Sequence, residues 1–303
     1  MGETMLENRT VVGLGFFDGL HIGHMELIKR VKNFSQLMNL RSIIYTFDTH
    51  PNVVLSNVQS SKLLMSNKRK MEIIQSEGID SVYFEWFTQS LANMEPREFV
   101  EKILLEKFNV AHVVVGFNYN FGAKGSGDSD LLIKLGNELG FSVEVVPSVY
   151  CDGEIVSSTS IRRLIELGDV VRVARLLGRP FEICGIVKTG RKLGSIMNFP
   201  TANIYPTANF ITPLNGVYAT RVVIDGEHFM GVTNVGTNPT VTSEINTKVE
   251  THLLDYQKDI YGKEIIVEFI ELIRVEEKFK NIEELFSQIA KDSEKARVIL
   301  NGK

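Results

Sequence analysis

The feature that most constrains the fold of this chain is a change in its hydrophobic grammar near residue 180. From Thr10 to about Gly178, short apolar runs alternate with stretches of helical period. "VVGLGFF" (11–17) reads as a buried strand, and the stretch after it sets Leu27, Ile28, Val31 and Phe34 on one helical face. "SIIYTF" (42–47), "DSVYFEWF" (80–87) and the nearly all-apolar "AHVVVGF" (111–117) read as further strands. "NMEPREFVEKILLEKF" (93–108) reads as a helix with Pro96 near its first turn and Phe99, Val100, Ile103 and Leu104 inward. Strands alternating with helices predict a parallel, doubly wound α/β sheet. Beyond "LLGRP" (176–180), strands follow one another without helices between them. "GVYATRVVIDGEHFMGVTNVG" (216–236) carries Asp225-Gly226, a two-residue hairpin signal, and "TKVETHLLD" and "KEIIVEFIELIRV" add strands. This half is predicted to be all-β, an antiparallel small barrel. It closes with an amphipathic helix in "IEELFSQIAKDSEKARVIL", with Ile282, Leu285, Phe286, Ile289 and Ala296 inward. Two domains, 1–180 and 181–303, suit a length of 303 residues.

Composition narrows the function classes. A net charge of −4, from 33 basic and 37 acidic residues, gives no global pull toward nucleic acid or anionic membrane. No apolar run approaches a membrane span, and "MGETMLENRT" lacks the pattern of a signal peptide. Cys151 and Cys184 are far apart, belong to no metal-spaced cluster and read as reduced thiols. The expectation is a cytoplasmic enzyme acting on small molecules, without nucleic-acid or membrane partners.

Four motifs fall where a parallel sheet binds ligands, beyond the carboxyl ends of its strands. In "GFFDGLHIGH" (15–24), a strand turns through Asp18 and Gly19 into a helix led by His21 and His24. Imidazoles can donate to phosphate oxygens there, Gly23 lets the backbone approach closely, and the helix N-terminus offers unpaired N–H groups. This suits charge building on a phosphoryl group in flight and needs no protein nucleophile. A helix cap or a two-histidine metal site are the competing readings. In "VSSTSIRRLIELGDV" (156–170), Ser157, Ser158 and Thr159 stand where an N-cap belongs, with Arg162 and Arg163 in a first turn that an anion would complement. An ordinary cap with exposed arginines accounts for it equally. "VVVGFNYNFGAKGSGD" (113–128) carries four glycines at and beyond a strand end, with Asn118 among them, and "YTFDTHP" (45–51) puts His50 just past another.

Together "GFFDGLHIGH", "TFDTHP", "GFNYNFGAKGSGD" and "SSTSIRRLIELGDVVRVARLLGRP" resemble, in order and spacing, the prokaryotic bifunctional riboflavin kinase/FMN adenylyltransferase (FAD synthetase) family. The resemblance implies a doubly wound, Rossmann-like nucleotidyltransferase domain over 1–180 and an antiparallel riboflavin-kinase-like β-barrel with a terminal helix over 181–303. It implies transfer of AMP from ATP to FMN, with Mg²⁺, giving FAD and pyrophosphate. His21 and His24 would hold the ATP phosphates and stabilise the transition state. Ser158, Thr159 and Arg162 would bind phosphates from a facing loop, and Asn118 and His50 would line the nucleotide site. Gly15, Phe16, Asp18 and Gly23 of the first motif would join them in nucleotide or flavin binding.

The resemblance continues through "GRPFEICGIVKTGRKLGSIMNFPTANIYP", "GVTNVGTNPTV", "VETHLLD" and "DIYGKEIIVEFIELIRVEEKF". "FPTAN" reads as a rigid turn with Thr201 and Asn203 as oxygen donors suited to Mg²⁺ and phosphate. Glu250 sits on a strand whose neighbours Val249, Thr251 and Leu253 face the other side, so its carboxylate can take a proton from a substrate hydroxyl. A solvent-facing strand residue is the plain reading of it. The resemblance makes Glu250 the base for the ribityl 5′-hydroxyl and assigns Gly190, Gly194 and Pro200 to nucleotide or flavin binding. The glycine-rich stretch departs from the family pattern at Thr189, Ser195 and Asn198, where His, Arg and Gly are usual. The first reading is therefore an FMN adenylyltransferase whose barrel is kinase-like and of doubtful competence. Its alternatives are the full path from riboflavin through FMN to FAD, a barrel that only binds flavin or mediates assembly, and adenylyl transfer to another phosphate such as phosphopantetheine.

Overall fold

Five short apolar runs pair as parallel strands: Thr10–Leu14 (β1), Arg41–Phe47 (β2), Ser81–Glu85 (β3), Val110–Gly116 (β4) and Ser142–Val146 (β5). This computed structural model describes residues 9–49, 62–188, 201–238 and 246–302. The strand order is β3-β2-β1-β4-β5, the doubly wound arrangement expected. β1 is buried along its whole length, as a strand covered on both faces must be. One face packs Val12, Leu14, Tyr45, Val113 and Val115 against Phe99, Val100, Leu104, Leu132 and Leu135. Helix Ile22–Met38 (α1) buries Leu27, Ile28 and Val31, while helix Asn67–Ser76 (α2) buries Ile74 and, unusually, Lys70.

Two local expectations are corrected here. β1 stops at Leu14, and Gly15, Phe16 and Phe17 leave the sheet, with Phe17 at φ 53° in the left-handed region. The helix through Pro96 is α-helical only over Pro96–Phe99 and continues as a π-helix over Val100–Lys107, with Phe108 N–H donating to Ile103 O. Phe99, Val100 and Leu104 are buried in either geometry, so apolar spacing alone does not separate the two.

A short hairpin, Tyr150–Cys151 (β6) and Glu154–Ile155 (β7), precedes the second half. There six strands close a barrel: Phe181–Lys188 (β8), Thr201–Pro206 (β9), Gly216–Ile224 (β10), Glu227–Asn238 (β11), Asn246–Leu253 (β12) and Glu264–Val275 (β13). Their order is β10-β11-β12-β9-β8-β13, and every pair is antiparallel. The turn between β10 and β11 is Asp225-Gly226, with φ 52° and 85°, as the sequence signal requires. "FPTAN" does not end in a turn, because Thr201 and Asn203 lie on β9, where they alternate with buried Ala202 and Ile204. Helix Ile282–Asn301 docks through Ala296 and Leu300, whereas Ile282 is exposed because burial is concentrated in the C-terminal half of that helix.

By compactness the chain divides into Met1–Ser61 with Asn67–Ser157, and Lys62–Ser66 with Ser158–Lys303. The cut thus falls ahead of residue 180. Helices Ser158–Glu166 and Val170–Leu177 belong to the second unit, where Leu214 N–H donates to Ile165 O and Tyr218 Oη donates to Leu214 O.

Candidate active sites

In the first unit the site grows from the end of β1, which pairs with both β2 and β4 at the point where the strand order reverses. The loop between β1 and α1 is folded tightly. Phe17, Gly19 and Leu20 have φ of 53°, 80° and 44°, and Asp18 is 2% exposed. Gly15 is needed for close approach, because a Cβ there would stand 3.0 Å from the Phe17 ring. His21 caps α1, its Nδ1 accepting from His24 N–H at 3.2 Å. An accepting Nδ1 leaves the ring proton on Nε2, the nitrogen able to donate to an anion. The two imidazoles stack at 3.6 Å with 13° between planes, and the Phe17 ring meets His24 edge-on at 5.3 Å. A Cβ on Gly23 would come within 3.2 Å of the His21 ring, so glycine keeps the pair in place.

The first turn of α1 holds no acidic side chain, and its N-terminal dipole is available to an anion. Sequence reasoning missed Lys70, which is 1% exposed. Its Nζ donates to Phe16 O at 2.9 Å, and Thr46 Oγ1 donates to the same oxygen at 2.9 Å. Burial pushes the Lys70 ammonium down to about 8, while Asp18 and Asp48 act to raise it. Asn118 stands exposed just past β4, the strand adjacent to β1, and so shares the C-terminal edge with the histidines. Ser158, Thr159 and Arg162 are brought together on the first turns of helix Ser158–Glu166 in the second unit, with Arg162 Nη2 3.5 Å from Lys62 O. His50 lies outside the described residues.

The barrel assembles a second cluster by register alone. Asn203 pairs with Glu250 and Thr201 with His252, directly opposite across β9 and β12. Directly paired residues point to the same face, so Thr201, Asn203, Glu250 and His252 share one side. The other side is interior: Val249, Thr251 and Leu253 are 1%, 0% and 6% exposed. Lys248, two residues before Glu250, holds its carboxylate at 2.5 Å. A chain of hydroxyls inside the barrel, Thr220 to Thr233 to Thr251 at 2.8 Å each, ties β10, β11 and β12 together. Gly190, Gly194 and Pro200, and the departures at Thr189, Ser195 and Asn198, lie outside the described residues.

A doubly wound domain with a histidine pair at its switch point, followed by a closed antiparallel barrel with a polar outer face, defines a two-domain class. The FAD synthetase family model matches residues 3–160, and the riboflavin kinase model matches 177–300. The bifunctional riboflavin kinase/FMN adenylyltransferase of Listeria monocytogenes is 36% identical over 288 residues, covering 95% of this chain and 91% of that protein. The enzyme of the same description from Escherichia coli is 34% identical over 289 residues, again covering 95% and 91%. A crystal structure of a macrolide-efflux protein from Streptococcus pneumoniae superposes with a TM-score of 0.88 at 28% identity, covering 96% of this chain and 94% of that one. The chain belongs to the bifunctional riboflavin kinase/FMN adenylyltransferase family. The kinase match runs straight through Thr189, Ser195 and Asn198, so the family assignment favours the two-activity alternative over a barrel without kinase competence.

Proposed function

We propose that this chain makes FAD in two ATP-dependent steps, phosphorylating riboflavin to FMN in domain 181–303 and adenylylating FMN in domain 1–180. The observation that carries the reading is that one chain holds both clusters: the stacked His21–His24 pair at the α1 N-terminus, and Thr201, Asn203 and Glu250 on one barrel face. In the second step an FMN phosphate oxygen attacks the α-phosphorus of ATP, and the bond to the β-phosphate oxygen breaks to release pyrophosphate. His21 and His24 donate to the phosphate oxygens as charge shifts toward the leaving group, with the α1 N-terminus adding positive potential. Asn118, Gly15, Phe16, Asp18, Gly23 and His50 line the nucleotide or flavin, and the family resemblance gives Ser158, Thr159 and Arg162 a part in phosphate binding.

In the first step the ribityl 5′-hydroxyl attacks the γ-phosphorus, Glu250 takes its proton and ADP leaves. The family resemblance gives Gly190, Gly194 and Pro200 a role in nucleotide or flavin binding in this step. Thr201 and Asn203 supply neutral oxygen donors, and among the described residues no group of three or more His, Cys, Asp or Glu could hold a metal. That donor chemistry fits Mg²⁺, which Thr201 and Asn203 would help to hold. When bound, Mg²⁺ neutralises charge on the transferring phosphates. ATP as a substrate is consistent with a cytoplasmic site of action, and no helix among the described residues is long and apolar enough to cross a membrane.

The test is a crossed pair of variants in the full chain. His24→Ala should lower FMN adenylylation about 10²- to 10³-fold while riboflavin phosphorylation persists. Glu250→Ala should lower riboflavin phosphorylation about 10²- to 10⁴-fold and spare adenylylation of added FMN. An unchanged turnover number in either variant removes the role assigned to that residue.

A further inference from the structure

Lys70 has no part in the phosphate chemistry described above, yet the fold encloses it completely. A buried ammonium is costly unless its surroundings compensate it. Its surroundings here are specific. The Phe16 carbonyl takes both lone pairs' worth of donors, Lys70 Nζ from α2 and Thr46 Oγ1 from β2, each at 2.9 Å. The ammonium also lies 4.6 Å from the Phe16 ring centroid and 5.8 Å from that of Phe84. The charged groups that bear on it are Asp18, from the loop after β1, and Asp48, from the segment after β2. Asp48 is itself held to α2, its carbonyl accepting from Asn67 Nδ2 at 2.7 Å.

The carbonyl so gripped belongs to the residue at which the chain leaves the sheet. Immediately after it Phe17 and Leu20 adopt a left-handed backbone that L residues avoid, and His21 follows. The position of the stacked histidines therefore depends on a strained five-residue path whose origin is fixed by Lys70 and Thr46. We propose that Lys70 is a positioning residue for AMP transfer, its ammonium anchoring the Phe16 carbonyl so that His21 and His24 are presented to the ATP phosphates. This rests on the adenylyltransferase reading of the first domain. The anchor is strongest with Lys70 protonated, and because burial lowers its pKa to about 8, the anchor weakens as pH rises past that value.

The experiment measures kcat and KM for FAD formation from FMN and ATP, from about pH 7 to 9.5, in the wild-type chain, Lys70→Met and Thr46→Val. Misplacement of catalytic groups by an ångström costs about 10²-fold. Lys70→Met is expected to lose roughly tenfold or more in kcat, to change KM for FMN little, and to lose the wild-type decline above pH 8. Thr46→Val, which removes the other donor to the same carbonyl, is expected to lower kcat while keeping that alkaline decline. A Lys70→Met chain with wild-type kcat and an unaltered alkaline limb overturns the proposal. If Lys70→Met does not fold, wild-type kcat in Thr46→Val overturns it. Absence of FAD formation by the wild-type chain would instead refute the adenylyltransferase reading, a result separate from either variant outcome.

Discussion

Lys70 links pH to stability as well as to the histidine loop. Its folded pKa of about 8 lies below the ordinary lysine value of 10.5, so between those values the unfolded chain binds a proton that the folded chain does not. Stability therefore rises with pH across that window, and the penalty for burying the charge is fully present below pH 8. Comparing denaturation of wild type and Lys70→Met should show the difference shifting in favour of wild type as pH increases from about 8 to 10.5, by on the order of 3 kcal/mol. A difference independent of pH would mean that Lys70 does not titrate there. This residue was illegible in the sequence because "NKRK" (67–70) reads as a solvated charge run. His21 and His24 were legible because two of only six histidines stand three apart at a strand-to-helix change of period. The contact that unites them, His24 N–H to His21 Nδ1, follows from the geometry of a helix N-cap.

At the scale of elements, the interior hydroxyl chain Thr220–Thr233–Thr251 ties β10 and β11 to β12, the strand that carries Glu250 opposite Asn203. All three threonines are fully buried, so removing the middle hydroxyl leaves two others without their shared partner. Thr233→Val should cost about 1–3 kcal/mol in chemical denaturation and reduce riboflavin phosphorylation more than FMN adenylylation. Equal loss of both activities would count against a role in holding β12. Four strands of the sheet and the Asp225-Gly226 hairpin were readable from period and turn chemistry, whereas β5 was not read. β9 was not, because Pro200 ahead of Thr201 and Asn203 suggests a turn, whereas burial of Ala202 and Ile204 against the barrel decides for a strand. The π-helical segment Val100–Lys107 was hidden for a related reason: its buried residues satisfy a helical pattern whichever hydrogen-bond ladder forms.

Across the whole molecule, the switch in hydrophobic period near residue 180 was enough to separate a doubly wound sheet from a closed barrel. Compactness cuts earlier, at Ser157, because helix Ser158–Glu166 contacts helix Val170–Leu177 and Leu214 N–H donates to Ile165 O within the second unit. The departures at Thr189, Ser195 and Asn198 drew the sequence reading toward a silent kinase, but they occupy a short stretch, and the riboflavin kinase family match extends over 177–300. The proposed function puts both activities in this one chain. Its most direct test is to incubate the purified chain with riboflavin, ATP and Mg²⁺ and to separate the flavins by chromatography over time. FMN should appear first and FAD follow from it; riboflavin left unchanged by a preparation that converts added FMN to FAD would rule out the two-step function.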